Sequence, residues 1–278
     1  MKKKLVIVSS FVVMLALLCA CQPNNGVLPP PPVVDETPDG TPVSPSNSDD
    51  FNAIFSYGAS GTYYLATNME NLTAQLDVKA KDGGLLRLDG NGKTISRNVG
   101  TTGNKGDKAI VQILNNNGTI AVRNINISGI STNDINKWND GEFGIKVYNS
   151  KNVSLSDLSV TNANAGILIG SDSNATLLGT IDVSGNKYGG INVDDSTLTI
   201  AYDAEIICND NTVPAIWKDS AADGTVNYEP GTLVEYTISG SSIDGKNGQV
   251  WYLTPEQDAD FNWEAAAGLQ GAPTTDAN

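Results

Sequence analysis

Among its 278 residues the chain has no histidine. That one absence removes Ser-His-Asp and Cys-His nucleophiles, histidine-ligated zinc and imidazole acid/base chemistry. Charge is scarce too, with 17% Asp, Glu, Lys and Arg where soluble domains usually carry roughly 25%. The charge present is lopsided: 31 acidic against 17 basic residues give a formal net charge of −14 and a pI near 4.2. Such a surface repels phosphate backbones, which argues against any nucleic-acid partner. Cysteine is almost missing. Cys19 and Cys21 lie near the start and only Cys208 remains beyond them, so no internal disulfide braces the rest and the fold must stand on its core. Cys208 itself reads as an inert turn or core thiol. In place of these residues the chain has 28 glycines and abundant Asn, Ser and Thr, a composition suited to an exported β-protein with many turns.

The first residues supply an address. Lys2, Lys3 and Lys4 precede an apolar run from Leu5 to Leu18, the length of a signal-peptide core and too short for a bilayer span of roughly 20 residues. The run closes on Leu18-Cys19-Ala20-Cys21. This resembles the bacterial lipoprotein lipobox, and the resemblance implies that residues 1–20 are a removed signal peptide and that Cys21 carries the lipid. It further implies a chain exported and anchored through its N-terminal lipid to the cell envelope, with Gln22 compatible with outer-membrane or cell-surface sorting. Residues 21–50 are expected to be a disordered tether. They include Pro29-Pro30-Pro31-Pro32 and Thr-Pro and Ser-Pro pairs, a composition that cannot bury a core and that favours extended polyproline at roughly 3.1 Å per residue.

From 51 to 253 short stretches of alternating apolar and polar residues are separated by Asn, Asp, Gly and Ser, and none has the spacing of an amphipathic helix. The stretches recur. Gly144-Ile145-Lys146-Val147, Gly166-Ile167-Leu168-Ile169 and Gly190-Ile191-Asn192-Val193 line up at steps of 22 and 24 residues. Val111-Gln112-Ile113 precedes them, and Ala215-Ile216-Trp217-Lys218 follows as a looser copy. A second strand ends at Ile127, Val160, Val183 and Ile206, the first step lengthened by an insertion at 131–142. On this alignment Cys208 falls beside Gly129, Asn162 and Gly185. Units of 22–25 residues with Asn/Gly/Ser corners stack β-branched columns at about 4.8 Å, the requirement of a parallel β-helix. The expected fold is therefore all-β, a single-stranded parallel β-helix of about six or seven coils.

Gly61-Thr-Tyr-Tyr-Leu65, followed by Leu85-Leu-Arg-Leu-Asp-Gly-Asn-Gly-Lys-Thr-Ile95, resembles the opening coil of right-handed parallel β-helix proteins of the pectin-lyase-like superfamily. The resemblance implies a right-handed coil and, in the enzymes of that superfamily, polysaccharide lyase or glycoside hydrolase chemistry. The catalytic motifs are not carried over. Asp194-Asp195 matches the Asp-Asp pair of polygalacturonase-like enzymes, but Asn-Thr-Asp, Gly-His-Gly and Arg-Ile-Lys are absent. The Arg-x-Pro-x-x-Arg of pectate-lyase-like enzymes is absent as well.

Two groups of residues are candidates for binding. Asp172, Asp194 and Asp195 fall at corners after the repeated strand, where stacked carboxylates either hold a hard cation such as Ca²⁺ or face water. Lys146, Asn192 and Trp217, together with Gln112 and Leu168, form the outward column of that strand. Trp138 on the insertion can overhang it, with Asp140 and Glu142 alongside. Aromatic rings beside amides are what a sugar-binding surface uses, although packing beneath the C-terminal segment is the more ordinary place for Trp217. Residues 254–278 are expected to cap the last coil, with Pro255 in the first turn of a helix, and then fray. The functional expectation is a lipid-anchored, non-catalytic binding or adhesin-like module for a glycan or a surface protein. A carbohydrate-active enzyme of the pectin-lyase-like fold and a structural envelope component are the alternatives.

Overall fold

The structure is a computed structural model that describes residues 38–97, 109–129, 143–186, 189–211, 230–231, 233–237 and 247–258. Of these, 57% are strand and 7% helix, so the fold is all-β. The strands form two long sheets, almost entirely parallel and not closed into a barrel, an arrangement compatible with a parallel β-helix. The main path of the first sheet holds β1 (Thr41–Val43), β2 (Gly61–Leu65), β5 (Leu85–Asp89), β8 (Thr119–Gly129), β10 (Val153–Thr161), β12 (Asn174–Asp182), β14 (Ser196–Ile200), β17 (Asn247–Tyr252) and β16 (Leu233–Thr237), in that order. Beside this path lie β3 (Met69–Leu72), β6 (Thr94–Arg97) and β15 (Glu205–Ile207). The second sheet orders β13 (Gly189–Asp194), β11 (Ala165–Gly170), β9 (Phe143–Tyr148), β7 (Ala109–Leu114) and β4 (Leu76–Asp77). Among the described strands only β16 runs antiparallel, against β17.

The repeated tetrapeptides set the register of the second sheet. Ile145 pairs with Ile167 and Ile167 with Ile191, and Val111 pairs with Ile145. Their inward columns merge with Leu86, Ile120, Val153, Leu177 and Leu198 of the first sheet into one buried core. The glycine that opens each tetrapeptide is a packing requirement. A Cβ on Gly144 would lie 2.0 Å from Val160 Cγ1, and one on Gly190 would lie 2.9 Å from Val183 Cγ2. With a glycine there, the strand can press against the coil's third side.

Corners are built by left-handed residues and by buried polar ladders. Asn115 and Asn149 have φ of 50° and 46°, with Ser171 at 55° and Asp195 at 49° stacked on them. Asn tolerates this region because its short amide bonds locally. Just beyond these corners, the hydroxyl of each coil accepts the N–H of the preceding one. Asn116 N donates to Ser150 Oγ (3.1 Å), Ser150 N to Ser173 Oγ (3.0 Å) and Ser173 N to Ser196 Oγ (3.0 Å). On another corner Ala163 N donates to Asn186 Oδ1 and Asn186 N to Asn211 Oδ1. Buried backbone donors that no strand can satisfy are thereby paired.

Three expectations change. The folded part begins before residue 51, because β1 pairs with β2 and Ser48–Phe55 is a helix, α1, capped by Asn47. Phe51 and Phe55 lie on its buried face, four residues apart. α1 sits on the edge of the second sheet: Asn52 Oδ1 accepts Asp77 N–H (2.8 Å), and Ser48 Oγ donates to Ala74 O (2.9 Å). The alignment of Ile206 with Val183 is also displaced. Ile206 pairs with Ile181, because the 25-residue coil holds two extra residues at the Tyr202-Asp203 turn. Cys208 therefore follows Ile207, the partner of Asp182, and lies fully buried in the core rather than beside Gly185. Finally, the outward column of the second sheet is not open to solvent, as described next. The helix expected from Pro255 is present as α2 (Pro255–Asp258). Thr254 and Gln257 cap it reciprocally: Thr254 N donates to Gln257 Oε1 and Gln257 N to Thr254 Oγ1.

Candidate functional site

The column expected to carry a ligand is assembled in register. Asp77 pairs with Gln112, Gln112 with Lys146, Lys146 with Leu168, and Leu168 with Asn192. Their strand neighbours Ile145, Val147, Ile167, Ile169, Ile191 and Val193 line the core, so these side chains project from the opposite face. Yet from Gln112 to Asn192 none exceeds 8% exposure. Alternation alone gives the direction of a side chain but not what shields it.

This face has an apolar floor separate from the core, formed by Ala109, Phe143, Ala165 and Leu168. The polar groups stand around it. Gln112 Nε2 donates to Asp77 Oδ1 (3.3 Å), which also accepts from Gln75 (2.8 Å). Lys146 Nζ lies 4.7 Å from the centre of the Tyr148 ring, a cation–π distance. The Tyr148 ring crosses Gly170, where a Cβ would come within 2.8 Å of it. Asn192 is fully buried, and among the described residues neither its Oδ1 nor its Nδ2 has a hydrogen-bond partner. An amide left so costs about 1–3 kcal/mol.

The three aspartates separate. Asp194 is the last residue of β13, pairs with Gly170 and is buried, which puts it on the face of Asn192, two residues along the strand. Asp195 is an exposed left-handed corner whose carbonyl accepts Asp172 N–H (2.7 Å). The Asp172 carboxylate is paired instead with Lys151 (2.7 Å). Among the described residues no group of three or more Cys, Asp and Glu is placed to hold a metal ion. Asp194 thus joins the amide column rather than a carboxylate cluster. Tyr148 and Asp77 were not singled out by the sequence, since Tyr148 closes its strand and Asp77 belongs to a strand of two residues. Trp138, Trp217, Asp140, Glu142 and Cys21 lie outside the described residues.

Asp77 and Asp194 stand at opposite ends of the column, four strands apart, or about 19 Å at the usual strand spacing. Two-carboxylate glycoside hydrolysis needs a separation of about 5–9.5 Å. Lys146 and Asn192, two strands apart, are separated by about 10 Å. No protein-family model, curated protein or solved structure matches the chain.

Proposed function

We propose that this chain is a lipid-anchored binding module of the cell envelope that takes a glycan, without catalysis, on the outer face of its second sheet. The observation that carries the reading is Asn192. A fully buried amide with an unused donor and an unused acceptor matches a pair of neighbouring hydroxyls, which offer one of each. Around it the arrangement is that of ligand sites generally, an apolar floor with a few convergent polar groups. Leu168 and Phe143 supply the floor, and Lys146, Gln112 and Asp194 the polar rim. The wide spacing of Asp77 and Asp194 weighs toward binding rather than hydrolysis. In this reading the coils wind in the right-handed sense, the segment from Thr254 closes the last of them, and the lipid on Cys21 holds the module at the membrane or cell surface.

The test is a glycan array probed with the full chain, with Asn192→Leu and with Lys146→Ala. At least one glycan class should be retained by the parent chain and lost, by about tenfold or more in affinity, in Asn192→Leu. Equal retention by parent and Asn192→Leu would remove this face from the function.

A further inference from the structure

The face read above as a glycan site is shut in the ligand-free protein. Gln112, Lys146, Leu168 and Asn192 are none of them more than 8% exposed, so a sugar ring cannot reach the Asn192 amide without a movement. The column beside them is graded. Leu114 pairs with Tyr148, and Gly170 pairs with both Tyr148 and Asp194. Leu114 is 37% exposed, Tyr148 is half-buried, and Gly170 and Asp194 are buried. Solvent therefore meets this face at its Leu114–Tyr148 end, and the Tyr148 side chain stands where the exposure stops.

Tyr148 reaches from its own coil over the next. Its Cε2 and Cδ2 lie 2.8 and 3.0 Å from where a Cβ on Gly170 would be, so the ring covers bare backbone. The next nearest atom to that position, Asp194 O, is 3.6 Å away. Gly170 has no left-handed φ that would demand a glycine; what its missing Cβ provides is the seat for a ring. Asn192 is the diagonal neighbour of that seat, about 8 Å along the face. Little holds the ring there. Lys146 Nζ lies 4.7 Å from its centre, and among the described residues its hydroxyl makes no hydrogen bond. A cation–π contact favours the closed position by only about five- to thirtyfold, and a change of χ1 rotamer needs no movement of the backbone.

Taking the glycan reading of this face, we propose that the seat over Gly170 is a sugar subsite, occupied in the ligand-free protein by the Tyr148 ring and vacated when a pyranose ring displaces it. The exchange is ring for ring. The pyranose takes the apolar contact with Gly170 and Leu168, and its neighbouring hydroxyls meet the donor and acceptor of Asn192. Lys146 gives up an aromatic face for hydroxyl oxygens. Tyr148 is thus a built-in competitor of the ligand, and Gly170 is the residue that lets either of them sit.

The test pairs thiol accessibility with glycan binding, both on the full chain. Asn192→Cys is labelled with maleimide and read at position 192 by peptide mass, with the fully buried Cys208 as the slow internal thiol. Labelling should be about tenfold faster when Tyr148→Ala or Gly170→Ala is added. Tyr148→Phe keeps the ring and should leave labelling slow. On a glycan array with Asn192 retained, the two opening variants part company. Tyr148→Ala should bind the parent's glycan about fivefold or more tightly, because the closed form no longer competes. Gly170→Ala should lose about tenfold, because its methyl stands in the seat. Labelling that neither variant accelerates, or a Tyr148→Ala chain that binds no more tightly than the parent, overturns the displaceable ring and leaves the glycan reading to Asn192→Leu. Accelerated labelling in chains that all retain no glycan sinks that reading, and the sugar subsite with it, and leaves Tyr148 a cover alone.

Discussion

Asn192 and Leu168 are adjacent in one column and branch alike at Cγ, and the difference between them is the difference between a site and a core. If the amide of Asn192 is kept for a ligand, Asn192→Leu should stabilise the ligand-free protein by about 1–3 kcal/mol while it loses binding, because a buried unpaired amide is replaced by an apolar group of the same branched shape. Chemical denaturation of the two proteins checks the sign. A drop in stability would mean that the amide has a structural partner. The glycines make a second comparison. Gly144→Ala drives a methyl into Val160 and should cost about 1–3 kcal/mol by overpacking. Gly185→Ala meets nothing within 4 Å but has φ of 65°, so its cost should be only the left-handed penalty of about 1–2 kcal/mol. At the start of α1, Asp50 accepts hydrogen bonds from the Ser46 hydroxyl and the Ser46 backbone N–H. These two bonds, the hydroxyl's first, hold its carboxyl below the usual aspartate value. A lowered carboxyl stabilises the folded form above its ordinary value near pH 3.9, and that contribution is withdrawn as pH falls through the lowered one. Amide exchange in α1 should therefore rise at the acid end before exchange in β8 or β10 does. With no histidine in the chain, nothing comparable is expected from imidazole between pH 5.5 and 8.

At the scale of elements, the strands of the second sheet were legible because Gly-Ile-x-Val or Gly-Ile-x-Ile recurs, and a β-branched column admits few registers when one side is core. The coil after β12 was harder to count. Its apolar residues, Ile206 and Cys208, are two apart and both buried, so the pattern fits two registers equally well. Only the Tyr202-Asp203 turn decides between them. α1 was hidden for a different reason. Asn47-Ser48-Asp49-Asp50 continues the polar composition of the tether, and only Phe51 and Phe55 mark a helical face. Its contribution lies in the edge it covers. Asn52→Ala would strip Asp77 N–H of its acceptor and Gln75 O of its donor (3.0 Å). It should cost about 1–3 kcal/mol and raise exchange at β4 selectively. Asn186→Ala, which removes acceptance from Ala163 N and donation to Val160 O and Val183 O, should cost at least as much. The shielding of the outward columns was beyond the sequence altogether, since alternation encodes direction and not cover.

For the whole molecule the relevant property is that each coil touches only the coils beside it, so stability is a sum of neighbour terms. Long and short coils coexist on this plan. The step from β10 to β12 is 22 residues, and from β5 to β8 it is 34. In the longer step the surplus falls between β6 and β7, on residues outside the described ones. Export and anchoring are tested by Cys21→Ser, which should shift the protein from the membrane fraction to the soluble one without altering the glycan profile of the released chain. Retention in membranes would argue for attachment other than the N-terminal lipid.

The order of strands has a mechanical consequence. Among the described strands β1, three residues long and bearing Pro42, pairs only with β2 at the extreme of the first sheet, and it is the first of them that a pull from the N-terminal side reaches. Tension there falls on three residues of pairing at a time and not on a whole sheet in shear. A molecule held at its N-terminal side and loaded through the second sheet, as the proposed anchoring and binding would have it, should therefore give way by peeling. β1 and α1 would detach first and the coils would follow one by one, so a force–extension trace should show a staircase of small steps rather than a single rupture.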